Sequence, residues 1–136
     1  MTPRIAPVGE ADAVLARLPD LLAVHAETRR NVIEGGLVDQ DLKRLCALYL
    51  AEDDDVVRHS DDPDHFDERG RAALRWTHAV GWQAPADDTL WEALHAHFTE
   101  PELVELGYFL HVTLGLMHLH RAFGLPAPPL PGEHAT

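Results

Sequence analysis

The sequence is poor in cysteine and in positive charge, and each shortage removes a class of function. A single cysteine, Cys46, leaves no intrachain disulfide framework and fits a reducing compartment. Lysine and arginine number 11 against 23 aspartate and glutamate, for a formal net charge of −12. Such a chain is repelled by nucleic-acid backbones and by anionic membranes, so neither is expected as a partner. Long hydrophobic runs are also missing. The stretch Leu106 to Leu119 carries no formal charge but includes histidine, glycine and threonine and is too short to span a bilayer. There is no nucleotide-binding glycine fingerprint, no P-loop, no HExxH and no zinc-type cysteine spacing, and nothing points to a cofactor. The lead-in MTPRIAPVGEADAV has no apolar signal region, which predicts a cytoplasmic protein.

What is present suits one all-α domain. The 136 residues, 46% of them hydrophobic, are enough to bury a real core. The central stretch is Phe98 to Gly124. Thr99 and Glu102 form a capping-box pattern with Pro101 in the first turn, and Gly124 supplies a left-handed stop. Being apolar nearly all round, this helix belongs inside a fold or an oligomer.

Ahead of it, residues 1–9 read as an irregular lead-in. Glu10–Leu18 and Asp20–Glu34 read as helices broken at Pro19, with a partial apolar stripe of Leu18, Leu21, Leu22, Val32 and Ile33. Asp39 is the expected N-cap of a helix over Gln40–Ala51 whose inward face carries Cys46. The acidic run Glu52–Asp67, broken by Pro63, reads as a solvated loop. Helices are then expected from Asp67 and from Asp87 or Asp88, making about six within a domain spanning 10–124. The Pro-rich tail, 125–136, is expected to be extended over a neighbouring surface.

The second half resembles a known family. Asp67–Val80 (DERGRAALRWTHAV), Asp87–Leu106 (DDTLWEALHAHFTEPELVEL) and Gly115–Leu125 (GLMHLHRAFGL), together with Gly35–Ala51, are similar in order and spacing to the alkylhydroperoxidase-D-like, or carboxymuconolactone decarboxylase, family. The resemblance implies a helical bundle and a homo-oligomer, trimeric or hexameric, with a dimer as the smaller alternative. The chain departs from the pattern at the redox motif. Where the peroxidases of the family carry Cys-x-x-Cys and a histidine, Ala47–Ala51 runs straight into EDDDVVRHS. Arg44 stands at the glutamate position, and Met117-His118 stand in place of Asn-Arg. Peroxidase chemistry needs a low-pKa thiolate and a resolving thiol, so it is not implied here.

The candidate chemistry is therefore acid–base. His111 and His118 lie seven residues apart on one helix face with Gly115 between them, and Tyr108 and Glu105 lie just ahead. His118, His111 and Glu105 are the candidates for proton transfer. Tyr108 would orient a substrate, Gly115 would leave it space and Arg44 would hold an anion. The same polar groups also suit hydrogen-bonded contacts between helices or subunits. The first function read from this set is non-redox decarboxylation, lyase chemistry or isomerisation of a small organic acid. The second is a family member that binds a ligand without turnover, and the third is residual single-thiol chemistry at Cys46. Metal binding by His59, Asp61, Asp62, Asp64 and His65 matches no established spacing, and the pairs His95/His97 and His118/His120 point to different helix faces.

Overall fold

The computed structural model describes residues 11–133 and contains helices but no strands among them. Seven α-helices follow one another: α1 Ala11–Leu15, α2 Pro19–Thr28, α3 Gln40–Leu50, α4 Asp54–Arg58, α5 Glu68–Gly81, α6 Asp88–His97 and α7 Glu100–Phe123. A π-helical turn, Arg29–Ile33, extends α2. The lead-in at 1–9 and the last three residues lie outside the described segment.

The helix starts are chemically explicit. Asp39, Asp53, Asp67 and Asp87 each accept a hydrogen bond from the backbone N–H three residues on. Thr99 does the same for Glu102 in a reciprocal capping box, and Gly124 closes α7 with φ +70°. Many of the surplus carboxylates thus sit at helix N-termini, where the free N–H groups and the helix dipole favour negative charge. One of these starts corrects the sequence reading. Within the acidic run expected to be a loop, Asp54–Arg58 folds into α4, because Asp53 caps it and Val56 drops into a small cluster with Tyr49 and Leu74, while His59–Phe66 stays in turns.

The main core joins α3, α5, α6 and α7 through Leu42, Cys46, Ala72, Ala73, Trp76, Leu94, Leu106, Phe109 and Leu110. α2 contributes no buried residue. Its π-helical extension packs Val32 and Ile33 on the core, whereas Leu18 and Leu21, expected in the same stripe, stand 63% and 46% exposed. The tail folds back onto its own domain. Pro131 is buried, Leu130 packs against the core, and Glu133 reaches Arg44 on α3 at 3.4 Å. No helix among the described residues is long and apolar enough to cross a membrane.

α7 departs most from expectation. Leu103, Leu106, Phe109, Leu110, Thr113 and His120 are buried, but Val104, Tyr108, His111, Gly115 and His118 are exposed. Their four- and three-residue spacing makes one continuous stripe. The helix is apolar on its open side as well as its closed side, so composition alone could not say which side the core would take.

Candidate functional site

The polar residues singled out on α7 meet different fates. Glu105 faces the start of α3. Its two carboxylate oxygens accept from the N–H groups of Leu37 at 2.8 Å and Val38 at 2.7 Å. Oε2 also lies 3.3 Å from Nζ of Lys43, the one lysine of the chain. Lys43 is fully buried, donates to the carbonyl oxygens of Val32 and, at 2.6 Å, Gly35, and sits 5.6 Å from the centre of the Phe109 ring. Two of the three ammonium hydrogens go to these carbonyl oxygens, and the charge faces Glu105. Burial pulls the Lys43 ammonium down from its ordinary range, and the charge of Glu105 only partly offsets this. Burial pushes Glu105 up, but the Val38 and Leu37 N–H groups and the Lys43 charge outweigh it and hold the carboxylate below its ordinary range. The arrangement clamps the entry to α3 to the middle of α7. Gly36 completes it: its φ is +98°, and a Cβ there would meet Glu105 Oε1 at 2.0 Å.

His111 is placed differently. It lines a hollow of about 520 Å³ together with Trp76 from α5, Trp91 and His95 from α6, and Glu100, Leu103, Val104, Gly107 and Tyr108 from α7. The Trp76 and Trp91 rings meet edge to face, with centroids 5.3 Å apart and planes at 61°. Gly107 lets them sit there, since a Cβ would come within 3.0 Å of the Trp76 ring. The hollow is walled mainly by hydrocarbon and contains no lysine or arginine, and Glu100 is its one formal charge. His111 Nδ1 lies 2.7 Å from the Gly107 carbonyl oxygen. A carbonyl only accepts, so Nδ1 carries the hydrogen, and Nε2, a lone pair in the neutral form of the ring, has no partner among the described residues.

Tyr108 borders this hollow and, across the Val104–Tyr108 ridge, a second of about 440 Å³ lined by Val24, Thr28, Val32, Leu37, Pro101 and Glu105. The fold therefore brings Tyr108 and His111 together. His118 and Gly115 continue the exposed stripe and line neither hollow, and Arg44 stands on α3, paired with Glu133. Trp76, Trp91 and His95 were not singled out by sequence reading as site residues. Their signal was faint: aromatics scattered over two helices converge only when α6 folds back along α5. His95 and His97 do face apart, one into the aromatic hollow and the other toward Glu68.

Cys46 is fully buried, and burial, the dominant influence, pushes its thiol up to about 12. The acidic segment holds a stacked pair, His59 and His65, with ring centroids 3.8 Å apart. His65 Nδ1 lies 2.9 Å from an oxygen of Asp62. Among the described residues no group of three or more histidine, cysteine or acidic side chains is placed to hold a metal.

No family model matches the chain, and neither does any curated protein or solved structure.

Proposed function

We propose that this protein handles a small neutral or cationic organic molecule in the Trp76–Trp91–Tyr108 hollow, with His111 as its proton-transfer group. The observation that carries the reading is the free Nε2 of His111 at the wall of an apolar, aromatic recess. Isomerisation suits such a site, because Nε2 can take a proton from one atom of the ligand and return it to another with no redox partner. The organic-acid substrate expected from the sequence loses support, since the hollow has no cation and Arg44 is engaged elsewhere. Thiol chemistry loses it too, because Cys46 is sealed in the core. The alkylhydroperoxidase-D-like resemblance remains an analogy for the helical architecture and excludes no ligand class.

Trp91 reports on occupancy. Titration with a panel of ring-sized neutral, cationic and anionic compounds should quench tryptophan fluorescence saturably for the first two classes, and the quenching should be lost in W91A. Saturable binding by anions alone would defeat the reading. Unchanged pH-dependent turnover of a bound compound by H111Q would remove His111 as the proton-transfer group.

We also propose self-association through the open α7 face. Val24, Leu37, Val104 and Tyr108 are 56–73% exposed and border the second hollow. Together they form an exposed apolar patch beside the hollow, the kind of surface through which proteins associate. The stripe from Tyr108 to His118 carries no formal charge. Two copies, each at −12, meet with least repulsion there. Light scattering of wild type against V104D checks this: a monomeric wild type rules it out.

A further inference from the structure

A third and smaller hollow, about 180 Å³, lies on the other flank of the α5–α6 hairpin and is lined by Glu68, Arg71, Arg75, Ala93 and His97. Glu68, Arg71 and Arg75 recur at three and four residues, so they share one face of α5. Ala93 and His97 are one turn apart on α6 and face them. Ala93 is small, which leaves the gap open between the two helices.

Two arginines line this hollow. In a protein with twice as many acidic as basic side chains, Arg29, Lys43, Arg44, Arg58 and Arg69 each have a carboxylate within 4 Å. Arg71 and Arg75 have none among the described residues, as is also true of Arg17, Arg30 and Arg121, and neither guanidinium makes a hydrogen bond there. Arg71 Nε is buried without any partner. A buried, unanswered charged donor is costly to keep, and an external acceptor relieves that cost. The one acid at the site, Glu68, is largely exposed and leans on His97, with 3.4 Å between Oε2 and Nε2. That contact turns Glu68 toward His97 rather than toward the arginines.

We propose that Arg71, Arg75 and His97 form a binding site for a small oxyanion, a phosphate or carboxylate group, separate from the aromatic hollow. Two guanidinium forks one turn apart match the paired oxygens of such a group, and packing against α6 holds Arg71 in place before the anion arrives. The aromatic hollow rejects anions while this one selects them, so α6 divides the two chemistries between its own faces, His95 on one and His97 on the other.

The test is a titration of the intact protein with inorganic phosphate, and in parallel with acetate, at constant ionic strength set with chloride. Thermal unfolding and calorimetry provide the readouts. Phosphate or acetate should raise the unfolding temperature saturably, and which of the two does so names the group. R75Q, an exposed change that leaves the core intact, should weaken binding roughly tenfold or more, the loss of one charge-assisted pair. R44Q, whose arginine lies on α3, should bind as wild type does. H97Q should weaken phosphate binding more than acetate binding, because phosphate has more oxygens to take up a third donor. No saturable effect of either anion beyond chloride, or equal binding by wild type and R75Q, overturns the proposal.

Discussion

Glu105 and His111 sit six residues apart on the same helix and illustrate two ways of using a polar group in an apolar setting. Glu105 lies where α7 crosses the entry to α3, and every nearby donor is engaged: two backbone N–H groups and the buried Lys43. His111 lies on the open side, with one nitrogen fixed by the Gly107 carbonyl and the other free. A fully satisfied cluster resists change and contributes order. A half-satisfied group at an open recess contributes little to stability and is available for chemistry. Local sequence does not separate the two residues; their partners do.

The contrast is broken most severely at Glu105. E105Q strands a buried ammonium and should cost about 3–5 kcal/mol in urea unfolding at neutral pH. Adding K43M should recover part of that loss, giving a clear coupling energy in the double-mutant cycle. The cost should also depend on pH. The folded-state pKa of Glu105 lies below its ordinary value, so its stabilisation is complete above the ordinary carboxylate range and is lost as pH falls through the lowered folded value. The gap between wild type and E105Q should therefore narrow in acid; a gap constant from neutral pH into strong acid would show that the carboxylate charge is not what matters.

G36A attacks the same clamp from the backbone, forcing a side chain onto a φ of +98° and into the Glu105 carboxylate. A loss of at least about 2 kcal/mol is expected, from strain plus the displaced ion pair. Kinetic rather than equilibrium evidence applies to Cys46. With its thiol pushed up to about 12 and no exposure, labelling by a thiol reagent at pH 8 should proceed only as fast as the protein unfolds. Rapid labelling of the native protein would contradict the burial of α3. The smallest stability effect is expected on the open face: H111Q should change unfolding by less than about 0.5 kcal/mol. Any bound ligand should nevertheless lose its pH-dependent conversion. Collapse of the fold on that substitution would move His111 into the structural class with Glu105.

Much of the helical framework was legible beforehand, because its signals are local. Asp39, Asp67, Asp87, Thr99 and Gly124 act on backbone groups within a few residues, and each lies where the chain predicted a helix boundary. The short helix at Asp54–Arg58 was hidden by acidic density, since the same aspartates that suggest a solvated loop also serve as cap and first turn. Among the candidate site residues, the shared face of His111, Gly115 and His118 was readable from spacing. That this face is open was not, because both sides of α7 carry apolar residues. Lys43 went unnoticed because its role depends on Val32, Gly35 and Glu105, and the last lies far along the chain.

Helix type, helix ends, the inward position of Cys46 and the shortage of positive charge follow from the sequence by itself, because each depends on neighbours along the chain or on totals. Tertiary structure decided which polar groups are spent on structure and which are left free. It turned Glu105 inward to Lys43, drew Trp76 and Trp91 around His111, and left Arg71 and Arg75 without an acid. The physical reason is that solvation and charge pairing act through space: a carboxylate, an imidazole or a guanidinium takes its character from whatever the fold places within a few ångströms of it.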